Sequence, residues 1–531
     1  MTLMTGAQAL AAQLHREGVT RLFGLPGDQI MHLLDALHDE PGIAFTTTRH
    51  EQATTYMADG YARISGREGC ALVVPGIGLY NAGAGLATAY AASSPVLLLA
   101  GQIPRDAIDR GTGALHEIHR QLDIVAPVAG HTQGIRHAAD VPAAVHRAFA
   151  ALRTGRPRPA VLDIPPEALA EKADVTLLDA AEPRRTAPDP DAVRAAAALL
   201  RNAERPLLWA GGGAVTAGAH AALTAIAEHL QTPIVTTREG KGAVDDRHPL
   251  SVGTMWFNPR LRPVLDDADA VLAIGTRFTG SGIAPHIPLV HIDADPTEFD
   301  RQHTAAVAVA ADAALAAEAL LAELRRTCPP RPSRTAETQA MRTTVDRQLA
   351  AIGPQAAIVD TLRATLPDDA VLIPCTTTVG YMCHMRYPVH TPRGYLATSY
   401  MGTLGFAFPT GLGAKAARPD LPVVTVNGDG GFLFAAAELA TAVQYGINTV
   451  NIVFDDGAYG NSNRDQRERF GGREIGTTLH NPDWARLARS FGAYGLAVGS
   501  PADLGPALRD ALAADRPTVI SVPIPRLPSP F

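Results

Sequence analysis

The sequence predicts an α/β chain of three domains, each a mainly parallel sheet covered by helices on both faces. Three observations carry this expectation. Short apolar segments recur along the chain, each followed by a glycine-containing turn and a helical segment, and that alternation builds parallel sheets. Two breaks rich in proline and arginine, Glu182–Pro190 and Thr327–Ser333, lack apolar periodicity and divide the chain into blocks of about 180, 140 and 200 residues. The 531 residues are 46% hydrophobic and 19% charged, enough apolar material for several cores.

In the first block, Met1-Thr2-Leu3-Met4 runs straight into an amphipathic helix. Ile43–Thr47 reads as a strand, followed by a helix through Arg63, and Ala71–Val74, Val96–Ala100 and Ala160–Ile164 read as buried strands. The last three runs are apolar apart from Asp163, as expected where both sheet faces are covered. The central block opens with a helix over Asp191–Asn202 and supplies strands at Leu207–Ala210, Ala270–Ile274 and Leu289–Ile292. The alanine-rich Ala305–Leu324 reads as a helix with one solvated face. In the third block, strands are expected at Ala370–Ile373, Val423–Val426 and Val450–Phe454, with a helix over Phe434–Tyr445. The expected domains are 1–181, 191–326 and 340–531.

Composition narrows the function. Lys+Arg 46 against Asp+Glu 53 gives a net charge of −7, which offers no broad basic surface to nucleic acid or an anionic membrane. Lysine occurs only as Lys172, Lys241 and Lys415, leaving few candidates for Schiff-base chemistry. Cys70, Cys328, Cys375 and Cys383 form no C-x-x-C pair, so buried or incidental thiols are expected instead of zinc ligands or disulfides. The N-terminus lacks the pattern of a signal peptide, and no apolar run approaches the ~20 residues of a membrane helix. The expected compartment is the cytosol.

The chemistry concentrates at the ends of two strands. Val423–Val426 runs into Asn427-Gly428-Asp429-Gly430-Gly431 and then a helix. Ligands gather at the carboxyl ends of parallel strands, and glycines let backbone N–H groups approach phosphate oxygens. Alone this is also a common turn. The next strand ends in Asp455-Asp456-Gly457-Ala458-Tyr459-Gly460, and the interval 456 − 429 = 27 residues suits one βαβ crossover. On neighbouring strands, Asp429 and Asp456 would present two hard oxygen ligands beside a phosphate cradle, which suits magnesium and a diphosphate. Two unrelated acidic turns are the alternative.

Gly428-Asp429-Gly430 and Asp455-Asp456 resemble the thiamine-diphosphate signature of the acetolactate synthase/pyruvate decarboxylase superfamily, although that family usually has Asn-Asn where this chain has Asp-Asp. The resemblance implies Asp429, Asp456 and the Ala458 carbonyl as Mg²⁺ ligands. It also implies a cofactor cradle that includes Gly428, Gly430, Gly431, Tyr459 and Gly460. Arg49-His50-Glu51-Gln52-Ala53 and Ala58-Asp59-Gly60-Tyr61-Ala62-Arg63 are similar to the family's cofactor-activating segment. That similarity makes Glu51 the partner of the aminopyrimidine, favouring the imino tautomer that removes the thiazolium proton. Read as bare chemistry, Glu51 is a surface acid in a helix's first turn. Gly402-Thr403-Leu404-Gly405-Phe406 resembles the segment that bends the cofactor, with Leu404 as wedge and the Gly402 carbonyl accepting from the pyrimidine amino group. Without the resemblance, Leu404 is a core leucine. Thr376 and Thr377 are candidates for hydrogen bonds to the diphosphate.

The resemblance spans all three blocks and implies a cofactor held between two subunits, hence a homodimer or homotetramer. It implies decarboxylation of a 2-oxo acid, followed by aldehyde release or carboligation to a second carbonyl. Gly24-Leu25-Pro26-Gly27-Asp28 resembles the pyruvate decarboxylase loop, and His116 falls near that family's active-site histidine. Asp28 and His116 are therefore the expected proton-transfer groups; a cap aspartate and a surface histidine are the alternatives. The departures are equally specific: Ser462 stands where pyruvate decarboxylases have a glutamate, and His116 and Asp465 stand where acetolactate synthases have glutamine and tryptophan. The lysine of the latter falls at Gly130 or His131 and is missing. Ala210-Gly211-Gly212-Gly213-Ala214 does not complete a dinucleotide fingerprint, so FAD stays open for the central domain. A non-catalytic cofactor-binding paralogue and a nicotinamide-dependent oxidoreductase are the rival readings.

Overall fold

The computed structural model describes residues 2–280 and 282–531. Met1 of the opening tetrapeptide lies outside them. In chain order the strands are β1 (Thr2–Thr5), β2 (Arg21–Gly24), β3 (Ala44–Thr47), β4 (Gly69–Val73), β5 (Val96–Gly101), β6 (His131–Gly134), β7 (Ala160–Ile164) and β8 (Lys172–Val175). The middle of the chain adds β9 (Pro206–Ala210), β10 (Ile234–Thr236), β11 (Ser251–Thr254), β12 (Ala270–Ile274), β13 (Leu289–Asp293) and β14 (Val307–Ala310). The last five are β15 (Val371–Pro374), β16 (Val423–Gly428), β17 (Val450–Asp455), β18 (Tyr494–Ala497) and β19 (Thr518–Pro523).

They form three parallel sheets, in the orders β3-β2-β4-β5-β7-β6, β11-β10-β9-β12-β13-β14 and β15-β16-β17-β19-β18. An antiparallel ribbon of β1 with β8 ties the first strand to the end of the first sheet's segment. The α/β class and its mainly parallel sheets are as expected. On β5, Leu97 and Leu99 face one core and Leu98 and Ala100 the other, the alternation a doubly covered strand requires. The second of these cores is shared. It joins Met57 and Ala58 of the helix Glu51–Ser65 to Phe408 and Leu412 of the helix Ala407–Ala417, so one apolar body spans the first and third sheets.

The close approach of those two helices explains two glycines. A Cβ on Gly60 would lie 2.0 Å from the Thr410 carbonyl oxygen, and one on Gly413 would lie 1.9 Å from that of Met57. The segment around Gly60 is thus a packing surface as well as part of the resemblance noted above. Beside it, Asp59 is fully buried and sits 3.4 Å from Arg63, which donates to the Ala397 carbonyl at 2.9 Å.

The opening segment runs into the helix Gly6–Arg16 as expected, with Thr2–Thr5 before it a strand and Thr5 capping it reciprocally with Gln8. Two local expectations are corrected. The stretch Ala305–Leu324 is not one helix: Val307–Ala310 forms the edge strand β14, and Asp312 then caps the helix Ala313–Thr327. Alanine favours helix, but pairing with β13 and burial of Val309 outweigh that preference here. Phe434–Tyr445 is a short 3₁₀ turn at Ala436–Glu438 followed by the helix Leu439–Tyr445. Its helical start gives way because the Glu438 carboxylate accepts from the backbone N–H groups of Arg49 and His50, at 2.9 and 3.0 Å. Among the described residues, no helix is long and apolar enough to cross a membrane.

Candidate active site

β16 and β17 are neighbours, with Gly428 opposite Phe454, so the turns carrying Asp429 and Asp456 emerge side by side. Asp429 opens the short helix Asp429–Leu433 and is 2% exposed. Its Oδ2 accepts from the Ala458 N–H at 3.2 Å and from Asn481 Nδ2 at 2.6 Å. Asp456 lies against Gly460, where a Cβ would sit 2.5 Å from its Oδ2. Burial raises both carboxyls above their ordinary range, Asp429 to about 6, and the charges of Asp455 and Asp456 push Asp429 the same way. Two partly desolvated acids side by side favour a cation between them.

Asp455 belongs to the scaffold. Its carboxylate accepts from Trp484 Nε1 at 2.6 Å, Asn481 Nδ2 at 2.9 Å and the Gly457 N–H at 3.0 Å, which leaves Asp456 as the second free acid of the pair. Among the described residues no group of three or more His, Cys, Asp or Glu side chains could hold a metal. A two-carboxylate set with a backbone carbonyl fits Mg²⁺, which keeps several waters and shares its shell with phosphate oxygens.

The cradle assembles around this pair. Gly428 faces Thr377, whose hydroxyl-bearing carbon would meet a Cβ there at 3.5 Å, and Thr376 and Thr377 are half-buried at the end of β15. Gly430 lies under the Tyr459 ring, and Gly431 is next to Gly405 of the Gly402–Phe406 segment. Gly402 has φ 61 and open space around its Cβ position. Leu404 is half-buried, so it is not the core leucine that composition alone suggests. The structure therefore brings Thr377, Gly428, Gly430, Gly431, Tyr459, Gly460 and the Leu404 loop to one crevice at the carboxyl end of the third sheet.

Glu51, Asp28 and His116 gather at the carboxyl end of the first sheet. Glu51 follows β3, is 8% exposed, and accepts from Asn81 Nδ2 at 2.9 Å through Oε2. Asp28 is exposed in a 3₁₀ turn after β2, and the adjoining Gln29 donates to the Leu115 carbonyl at 3.2 Å. That bond puts the Asp28 and His116 loops side by side. His116 itself has φ 67, and its carbonyl abuts Gly76. Within the described residues of one chain, no hydrogen bond joins Glu51 to the Asp429 crevice. The backbone around Glu51 is bound instead to Glu438, and Gln52 donates to the Phe434 carbonyl at 2.7 Å.

Asn81 and Asn481, which orient Glu51 and Asp429, are absent from the expected set. Asn481-Pro482-Asp483 carries a turn signal, but only the fold shows which acids that asparagine bridges. A large cavity lies elsewhere. It is about 490 Å³, sits between the three sheets, and is lined by Gly212, Gly213, Arg156, Arg277, Asp293 and Arg393 among others. Gly211 and Gly213 are explained by close packing on Gly275, where Cβ atoms would approach backbone atoms to 2.1 and 2.8 Å.

Three parallel sheets, with an acid pair over a glycine cradle on one and a buried glutamate on another, define a three-domain thiamine-diphosphate enzyme. Models of the N-terminal, central and C-terminal domains of thiamine pyrophosphate enzymes match residues 4–126, 193–320 and 376–522. A probable acetolactate synthase large subunit of Methanocaldococcus jannaschii is 33% identical over 98% of this chain and 92% of its own. A probable 2-ketoarginine decarboxylase of Pseudomonas aeruginosa is 35% identical over 96% of this chain and 91% of its own. The acetolactate synthase isozyme 3 large subunit of Escherichia coli is 32% identical over 96% and 93%. The chain belongs to the acetolactate synthase/decarboxylase family of thiamine-diphosphate enzymes.

Proposed function

We propose that this chain decarboxylates a 2-oxo acid with thiamine diphosphate and Mg²⁺, releasing an aldehyde or joining the remaining fragment to a second carbonyl. The observation that carries this reading is the Asp429/Asp456 pair, raised by burial and set over the Gly428–Gly431 cradle. The relatives are named for both outcomes, carboligation and decarboxylation. Bound thiamine diphosphate supplies the sink for the electron pair left when CO₂ departs.

In this reading Asp429, Asp456 and the Ala458 carbonyl hold Mg²⁺. Thr376, Thr377, Gly428, Gly430, Gly431, Tyr459 and Gly460 surround the diphosphate. Gly402 accepts from the pyrimidine and Leu404 supports its rings. Glu51, oriented by Asn81, exchanges the proton that activates the cofactor, and Asp28 and His116 deliver protons to the product. Residues 1–181, 191–326 and 340–531 are the pyrimidine-binding, central and diphosphate-binding domains. Glu51 and the Asp429 crevice lie on different sheets and, among the described residues, share no hydrogen bond within one chain, which supports a homodimer or homotetramer with sites completed by a second subunit; the compartment we propose is the cytoplasm. The arginine-lined central cavity is the position whose chemistry suits FAD; the absorption spectrum of the purified protein tests its occupancy.

The experiment is CO₂ release from a panel of 2-oxo acids, with cofactor and Mg²⁺ present or omitted, and products identified by mass. Cofactor-dependent CO₂ is the expected result. No CO₂ from any acid overturns the reading in favour of a binding-only paralogue.

A further inference from the structure

The helix Gly460–Arg469 follows directly from the Asp456 turn and carries two arginines one turn apart. Arg464 is 5% exposed, yet its Nη1 is buried without a hydrogen-bond partner; Nη2 alone is satisfied, by Asn461 Oδ1. Arg467, three residues on and therefore on the same side of the helix, has a buried Nε that is likewise unpaired. Unsatisfied buried guanidinium N–H groups are costly, and two on one helix face call for an anion.

Their surroundings say where that anion sits. Tyr381 lies one helical turn beyond Thr377 and donates its backbone N–H to the Thr377 carbonyl. Burial raises its phenol above the ordinary range, and the Arg464 guanidinium is the foremost charge opposing that rise, with Arg238 acting the same way and Cys375 and Asp465 the other. The same Tyr381 ring packs 5.3 Å from Phe531 and 5.8 Å from Trp256, which form an apolar wall. Arg464 and Tyr381 thus lie on the two helices that lead out of the Asp456 and Thr377 turns, with an aromatic wall packed on Tyr381. Asp465 pairs with Arg469, at 3.7 Å, and not with Arg464.

We infer that Arg464, assisted by Arg467, docks a substrate carboxylate that is retained through the reaction. This rests on the decarboxylase reading and names the substrate class for the same crevice. The carboxylate lost as CO₂ is a poor partner for a guanidinium, because pairing it stabilises the ground state more than the transition state. A retained carboxylate has no such conflict, and a guanidinium fork holds it with two N–H donors. Two sources offer it: the far end of a dicarboxylic 2-oxo acid donor, or the acceptor 2-oxo acid of a carboligation.

The test compares 2-hydroxyglutarate with lactate, the reduced analogues of a dicarboxylic and a monocarboxylic donor, by calorimetric titration of the holoenzyme. Neither analogue loses CO₂, so the result stands even if no turnover is found. Wild type is expected to bind 2-hydroxyglutarate about tenfold tighter or more, with the preference abolished in Arg464→Gln and partly restored in Arg464→Lys. In turnover, the preference in kcat/KM for the dicarboxylic oxoglutarate over pyruvate is expected to fall with it. If both analogues bind alike, but Arg464→Gln raises the acceptor's KM in carboligation, the docked carboxylate is the acceptor's and the inference stands. Equal binding with no change in any KM overturns it. A loss of thiamine-diphosphate affinity in Arg464→Gln also overturns it, by assigning the guanidinium to the cofactor. A 2-oxo acid ending in a guanidinium is expected to be rejected by wild type.

Discussion

In the proposed reaction turnover depends on Glu51, a buried acid after β3 that Asn81 orients. Glu51→Gln is expected to keep the fold and thiamine-diphosphate binding while CO₂ release falls by roughly 10²-fold or more, the size of a lost acid–base group. Cofactor titration beside a turnover assay checks this. Asp293 makes a prediction about pH. Burial raises its carboxyl from 3.8 to about 6, so the folded chain holds a proton there that the unfolded chain has released. Its contribution is therefore most favourable at acid pH and is lost as pH rises through about 6. Asp293→Asn, which removes that charge and keeps an acceptor for the Asp295 N–H, is expected to raise Tm at neutral pH and to leave it unchanged below 3.8. The thiols behave as the sequence suggests: Cys70, Cys375 and Cys383 are buried and their thiols are raised by burial, Cys383 to about 12. Only the half-buried Cys328 is expected to react with a thiol reagent in the native protein.

Helices and strands differ in how openly the sequence declares them. Ala160–Ile164 and Ala270–Ile274 are legible to the residue because each is an interior strand buried along its length and apolar apart from Asp163. Edge strands are not: β6 is His-Thr-Gln-Gly, half-buried along its length, and β14 hides in an alanine run whose local preference is helical. The cradle glycines are legible because backbone approach to a phosphate demands them at the end of a strand. Asn81, Asn481 and Arg464 are not, since a side chain's partner across tens or hundreds of residues leaves no local pattern. The helix contact through Gly60 and Gly413 gives a prediction at this scale. Gly60→Ala or Gly413→Ala forces a Cβ to within about 2 Å of a carbonyl on the facing helix and is expected to cost about 1–3 kcal/mol, read by chemical denaturation.

At the scale of the molecule, the proposed function reads the chain as two half-sites. One, on the first sheet, carries Glu51 with Asp28 and His116 at its rim; the other, on the third, carries the acid pair and the cradle. Both lie at the carboxyl ends of parallel strands, where such sheets bind ligands. The same chain ties its Arg49 and His50 backbone N–H groups to Glu438 and its Gln52 side chain to the Phe434 carbonyl, and among the described residues no hydrogen bond joins its Glu51 to its own acid pair. The proposed closure by a second copy predicts that specific activity falls on dilution below the dimer's dissociation constant. The most direct measurement mixes Glu51→Gln with Asp429→Ala after joint refolding or co-expression. Each variant alone lacks one half of every site. Random pairing of the two produces mixed dimers with one intact site, so cofactor-dependent CO₂ release is expected to recover to about a quarter of wild type. No recovery in a mixture shown to contain mixed dimers would contradict a site shared between subunits.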